Sequence, residues 1–231
     1  MLKEIKVIGF DADDTLWVNE PYFKELEDKF CALLSDFLSS DQISKELFKT
    51  EMQNLELYGY GVKAFMLSLI ETAIKITNGT APVEIIEKII DLGKQQLNKP
   101  VILLDGIKNV LEKLYSLNYK LIVATKGDLL DQERKLMKSG LERYFHHIEI
   151  MSDKKDSDYQ KLLDHLEIKP AEFVMIGNSL KSDILPVTNI GGKGIHIPYH
   201  TTWQHENISS DKVENNNYIE VESISDVLKL F

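Results

Sequence analysis

Three carboxylates fall within one short stretch, Asp11-Ala12-Asp13-Asp14, followed directly by Thr15 and Leu16. Crowding such charges together is electrostatically costly unless a cation neutralises them. Hard carboxylate oxygens favour magnesium, which keeps several waters and takes few protein ligands beside a substrate phosphate. Asp11 and Asp13 are spaced by two, so on an extended segment they face the same way. A further acid, Asp183, closes the turn Gly177-Asn178-Ser179-Leu180-Lys181-Ser182-Asp183 and could complete such a site from across a sheet. Taken singly, each stretch is an ordinary solvated loop or helix cap. The same holds for Thr125-Lys126-Gly127-Asp128, which alone is a common strand-to-helix turn. Their joint occurrence, each at the end of an expected strand, is what points to chemistry.

The elements that must hold these residues follow from hydrophobic periodicity. Ile5 to Phe10 is a β-branched, apolar run flanked by charge, the pattern of a buried strand that ends at Asp11. From about 20 to 100 the expectation is helix, because Phe23, Leu26, Phe30, Leu33, Leu34 and Phe37 recur at threes and fours. Amphipathic stretches continue over 44–57, 63–76 and 83–97, separated by Tyr58-Gly59-Tyr60-Gly61 and Asn78-Gly79. Beyond Pro100 helix and strand alternate: helix 107–117, strand 120–124, helix 129–138, strand near 147–151, helix 159–166, strand 173–176, a short helix near Ser182, and strand 194–197. A polar connection, Asp211 to Asn217, leads to an edge strand at 218–221 and a last helix over 224–230. Such alternation predicts an α/β fold with a doubly wound parallel sheet. Its core would be 1–17 and 101–231, interrupted by a helical block over 18–100. In open parallel sheets the ligand lies outside the carboxyl ends of the strands. Asp11 should follow the first strand, Thr125 the second, Lys154 the third, and Gly177-Asn178 the fourth.

Bulk properties narrow the function. The chain has 231 residues, 43% of them apolar, ample for a packed interior. Twenty-seven Lys and Arg against 37 Asp and Glu give a net charge of -10, which disfavours nucleic acid and anionic membranes as partners. A small phosphorylated substrate can still be held locally. The single cysteine, Cys31, permits no intrachain disulfide, and the apolar run before Asp11 is too short and too acidic at its end for a signal peptide. No stretch approaches a membrane span, so a cytoplasmic location is expected.

Asp11-x-Asp13-x-Thr15-Leu16, Thr125, a downstream lysine and Gly177-Asn178-Ser179-x-x-x-Asp183 together resemble the four motifs of the haloacid dehalogenase superfamily. The helical block sits where that family inserts its cap, after the first motif. The resemblance implies a magnesium-dependent phosphohydrolase in which Asp11 attacks phosphorus and forms an aspartyl-phosphate. Asp13 would protonate the leaving oxygen and later activate water, with its backbone carbonyl also a metal ligand. Thr125 and the N–H groups of Lys126 and Gly127 would hold the phosphoryl oxygens. Lys154 would offset their charge; it is preferred to Lys155 and Lys161 because an aromatic, Tyr159, follows five residues later, and a shift by one residue stays open. Many relatives have two acids in the last motif, whereas here Asn178 takes the first place. Metal ligation by Asn178 or by Asp183 therefore remains open. The cap would gate the site, with hinges near 18–21 and 99–102, and would select the substrate; Tyr58 and Tyr60 could face it or simply pack.

A phosphomutase would share these motifs and keep the phosphoryl group. Dehalogenases lack an acid at the place of Asp13, and phosphonatases have a small residue there. A receiver-like regulatory module is about half this length, and a silent phosphate-binding protein would have a damaged motif. His196, His200 and His205 invite a zinc reading by spacing, but they lack an accompanying cysteine. Asp14 and Asp128 are expected to cap turns.

Overall fold

The computed structural model describes residues 2, 4–206 and 218–231, so the polar connection expected from Asp211 to Asn217 lies outside the described residues. In chain order the main elements are β1 (Val7–Phe10), α1 (Glu20–Leu33), α2 (Ser40–Tyr58), α3 (Val62–Ile76), α4 (Val83–Leu97), α5 (Ile107–Ser116), β2 (Lys120–Lys126), α6 (Leu129–Ser139), β3 (Phe145–Met151), α7 (Asp156–His165), β4 (Phe173–Gly177), α8 (Leu185–Asn189), β5 (Lys193–His196) and β6 (Tyr218–Glu220). The six strands form one sheet in the order β3-β2-β1-β4-β5-β6, and every pairing is parallel. The expected α/β class with a parallel sheet is what the chain forms.

The chain divides into two compact units, one of Met1–Glu20, Val101–Lys126 and Gln132–Phe231, the other of Pro21–Pro100 and Gly127–Asp131. In the first, alternate strand residues feed opposite layers. Ile8, Phe10, Leu121, Val123, Val174 and Ile176 pack with Ile107, Val110, Leu111 and Leu114 of α5. Their neighbours Val7, Ile122, Ala124, Phe173 and Met175 pack with Tyr159, Leu162 and Leu163 of α7 and Val187 of α8. Because both faces are covered, the central strands read as unbroken apolar runs rather than as alternation. The sheet order reverses on either side of β1, which leads β2 to one side and β4 to the other; this is the switch point at which parallel sheets open to ligands.

The helical unit has its own core of Leu26, Phe30, Leu34, Ile43, Leu47, Leu69 and Ile89, with Cys31 buried among them. Tyr58 donates its hydroxyl to Glu71 at 2.9 Å, and Gly59 and Gly61 take the positive φ values (71° and 105°) that turn α2 into α3. Lys63 pairs with Asp128 at 2.8 Å within the same unit. No helix among the described residues is long and apolar enough to cross a membrane.

Three local expectations differ from the structure. The first long helix stops at Leu33 rather than running to Phe37, because the Ser35 hydroxyl donates to the Ala32 carbonyl and the chain turns toward a new N-cap at Ser39. The final helix is a 3-10 helix, Ile224–Lys229, whose two buried residues, Ile224 and Val227, are spaced by the three that this tighter helix eclipses. Thr125 does not follow β2 but lies inside it, since pairing with β3 continues through Lys126↔Met151.

Candidate active site

Asp11 leaves β1 with its N–H still bound to the Ile176 carbonyl of the neighbouring strand at 2.9 Å, so the sheet fixes its backbone. The side chain is buried. Its Oδ1 accepts from Lys154 Nζ at 2.5 Å, and the same ammonium donates to Asp183 Oδ1 at 2.6 Å. Asp183 Oδ2 accepts the Ser179 N–H at 2.9 Å. That arrangement needs a glycine at the end of β4: a Cβ on Gly177 would stand 2.3 Å from Asp183 Oδ2. The residues after β4 form one turn of wide π-type helix, Leu180–Ile184, that carries Asp183 back under the strand end. Tyr159 closes the floor, its hydroxyl donating to the Ser182 carbonyl at 3.1 Å.

One ammonium thus serves two buried carboxylates. Burial above all, and then the charge of Asp183, push the Asp11 carboxyl up to about 7 against the opposing pull of Lys154. Lys154 itself would be driven down by burial, yet Asp11 and Asp183 hold it well above its ordinary value, so it stays an ammonium. Thr15 Oγ1 stands 3.2 Å from Asp11 Oδ2 and 3.2 Å from Asn178 Oδ1, and its single proton can satisfy only one of them at a time. The pocket is therefore short of positive charge and of donors. Two hard oxygens, one from Asp11 and one from Asn178, converge there, which suits a hard divalent cation. No group of three His, Cys, Asp or Glu side chains converges as a metal centre among the described residues.

Around Asp13 the balance is opposite. Its Oδ1 accepts from Trp17 Nε1 at 2.7 Å and Lys135 Nζ at 2.6 Å, and its Oδ2 accepts from Gln132 Nε2 at 2.8 Å. Lys135 also reaches Asn19 Oδ1 at 3.2 Å. Asp14, in the left-handed region at φ 61°, turns its carboxylate onto the N–H groups of Asn19 (2.8 Å) and Glu20 (2.9 Å), capping the entry to α1. Burial pushes Asp14 up to about 7, although those N–H groups pull it down.

Thr125 is buried at the end of β2, its Oγ1 donating to the Lys126 carbonyl at 3.2 Å and standing 3.4 Å from Gln132 Nε2. The Lys126 ammonium is directed to Ser182 Oγ (2.9 Å) and Glu206 (2.7 Å). Gly127 follows at φ 128°. Glu206 also accepts from Ser179 Oγ and Ser182 Oγ, both at 2.6 Å. Burial alone would raise it, but the Lys126 charge and these donors hold it down at about 2. The three histidines go separate ways: His196 lies between Glu220 and the Asn178 carbonyl, His200 beside Thr201, and His205 against Lys181.

A model of the haloacid dehalogenase-like hydrolases matches residues 5–191, which includes all four of these strand-end segments. The chain belongs to that family. A haloacid dehalogenase-like family hydrolase from Xanthomonas campestris is 35% identical and superposes with a TM-score of 0.87, covering 98% of this chain and 91% of that one. N-acylneuraminate-9-phosphatase of Mus musculus is 26% identical over 206 residues, 83% of this chain and 82% of the mouse protein. Glyceraldehyde 3-phosphate phosphatase of Pyrococcus abyssi is 31% identical over 100 residues; the matched stretch spans 41% of this chain and 42% of that relative.

Within this haloacid dehalogenase-like hydrolase, the fold gathers Asp11, Lys154, Asn178 and Asp183, and it sets Asp13 against α6. Lys155 is turned outward to Asp153 and Lys161 to Asp158 on the α7 surface, so of the three lysines weighed from sequence Lys154 is the one in contact with Asp11. Gln132, Lys135, Trp17 and Glu206 join the site from the structure alone. Gln132 and Lys135 are an i, i+3 pair in the first turns of the helix that follows Thr125, a spacing that by itself marks only a shared helix face. Glu206 sits far along the chain, at the end of a single 3-10 turn, Gln204–Glu206, too short to show periodicity, and carried no signal.

Proposed function

We propose that this chain is a magnesium-dependent phosphatase that hydrolyses a small phosphorylated metabolite through an aspartyl-phosphate on Asp11. The observation that carries the reading is the buried Lys154 ammonium bridging Asp11 and Asp183, which leaves a nucleophilic carboxylate oriented but short of positive charge. In this reading Asp11 attacks phosphorus, the bond from phosphorus to the leaving oxygen breaks, and Asp13 gives that oxygen its proton. Asp13 then takes a proton from water as the water oxygen attacks phosphorus; the bond to Asp11 breaks, releasing inorganic phosphate. Lys154 holds Asp11 in place and offsets charge on the transferring group, and Thr125 with the N–H groups of Lys126 and Gly127 holds its oxygens.

Magnesium would be held by Asp11, the Asn178 amide oxygen and the Asp13 carbonyl, supplying the charge neutralisation that Lys154 divides between two carboxylates. Asp183, whose oxygens are taken up by Lys154 and the Ser179 N–H, serves in this reading to position Lys154 and the Asn178 loop. We assign selection of the leaving group to the helical unit, and a cytoplasmic setting to an acidic chain with one buried, free thiol. The test is release of inorganic phosphate from p-nitrophenyl phosphate and from a panel of phosphorylated metabolites. Magnesium should support turnover and excess chelator should silence it; full activity in chelator would refute the metal assignment, and no phosphate release from any member would refute the phosphatase reading.

A further inference from the structure

Asp13 is gripped by more donors than a solvent-facing general acid requires, and two of them come from one helix. Gln132 and Lys135 lie three apart on α6, so both project from one face. Lys135 and Trp17 take one carboxylate oxygen at 2.6 and 2.7 Å, while Gln132 takes the other at 2.8 Å. A carboxylate is nearly two-fold about its terminal torsion, so different donors on its two oxygens are what pin it to one orientation. The amide of Gln132 is itself pinned. Nε2 spends its protons on Asp13 Oδ2 and on the Lys126 carbonyl at 2.7 Å, and turning the amide over would aim its oxygen at both acceptors.

That orientation has a cost. Gln132 Oε1 is the buried side-chain atom without a hydrogen-bond partner among the described residues. An apolar side chain would fill a buried position there without such a penalty, so stability alone does not account for glutamine.

We propose that Gln132 and Lys135 are positioning residues that hold Asp13 in the orientation needed to protonate the leaving oxygen, a proposal that rests on the phosphatase reading above. The consequence is selective. Loss of proton delivery harms substrates whose leaving group is basic and spares those whose leaving group departs unprotonated. Phenyl phosphate and p-nitrophenyl phosphate are nearly the same size and differ in just this respect. Because kcat/KM covers steps through departure of the leaving group, it is the quantity to compare, in the full chain with saturating magnesium.

Lys135→Met and Gln132→Met are expected to lower kcat/KM on phenyl phosphate about tenfold or more and on p-nitrophenyl phosphate by less than about threefold. Lys135→Arg should restore the wild-type ratio between the two substrates. In an Asp13→Asn background, Lys135→Met should cost little further, since residues that act through one another are not additive. Equal losses on both substrates, or full additivity with Asp13→Asn, would overturn the proposal. Should Lys135→Met fail to fold, Gln132→Met carries the same comparison, because it retains the volume and removes the unmatched oxygen. Asp11→Asn separates the two levels of the account. If that variant is inactive while the ratio is unmoved at Gln132 and Lys135, the positioning proposal alone fails; if it stays active, the assignment of Asp11 as nucleophile fails first, and if the unaltered chain releases no phosphate from any substrate, the phosphatase reading itself fails.

Discussion

Asp11 and Asp13 stand two residues apart, yet they occupy opposite kinds of surroundings. The Asp11 pocket is buried, shares a single ammonium with Asp183, and offers one hydroxyl proton to two acceptors. The Asp13 pocket is half-buried and supplies a lysine, an indole N–H and an amide to one carboxylate. A pocket short of positive charge attracts a cation and an anionic substrate together, whereas a pocket rich in donors fixes a side chain and does little to draw ligand. Environment, rather than residue type, separates a nucleophile from an acid in this account.

The largest effect should come from Asp11, the proposed nucleophile. Asp11→Asn keeps shape and removes the attacking charge, so turnover should fall by about 10⁴-fold or more while thermal stability holds or rises, because carboxylate crowding is relieved. Phosphate release and a melting curve on the same sample check both parts; activity within tenfold of wild type would remove Asp11 from its role. Next, Lys154→Met leaves Asp11 and Asp183 facing each other in the interior. Removing one partner of a buried pair typically destabilises by about 3–5 kcal/mol, so denaturant unfolding should register the loss alongside lost activity. Added magnesium should recover part of the stability, since a ligand that binds the folded state alone stabilises it.

Asn178 and Asp183 sharpen the contrast between a ligand and a positioning residue. Asn178→Ala should raise the magnesium concentration needed for half-maximal activity with little change in melting temperature. Asp183→Asn should lower the melting temperature as well, because both Asp183 oxygens accept from fixed donors, Lys154 and the Ser179 N–H, and an amide would set an NH2 against one of them, whereas Asp11 Oδ2 faces a Thr15 hydroxyl that can reverse its role. The reverse pattern would make Asp183 the metal ligand.

How much of this was legible in the chain follows from where the information sits. Strand ends were legible because central strands covered on both faces are continuous apolar runs, and Asp11 and Gly177 mark where two of them stop. Thr125 was misplaced by a residue or two, since nothing in Ala124-Thr125-Lys126 says that β3 will go on pairing with it. The grip on Asp13 was not legible because it joins residues 119 and 122 positions apart, and a Gln or Lys on a helix face is by default solvated. The Glu206 bonds to Lys126, Ser179 and Ser182 were hidden for the same reason, its single 3-10 turn being too short to show periodicity.

The smallest expected effect concerns that contact. Glu206 is held at about 2, below its ordinary 4.5, chiefly by Lys126 against the opposing effect of burial. A carboxylate depressed in the folded state contributes stability above its unfolded value and loses it as pH falls through its folded value. The melting temperature of Glu206→Gln should therefore lie below wild type at neutral pH, with the gap closing between 4.5 and about 2. A gap that does not change with pH would mean that the hydrogen bonds to Ser179 and Ser182, rather than the charge, hold the loop.

In the proposed mechanism the phosphoryl group passes through Asp11. Acid-quenching the reaction with p-nitrophenyl phosphate during turnover, then digesting and weighing the peptides, reads it directly. A phosphoryl adduct should appear on the peptide containing Asp11 and be absent from the Asp11→Asn protein. An adduct on another residue, or rapid turnover with no adduct at any quench time, would contradict it.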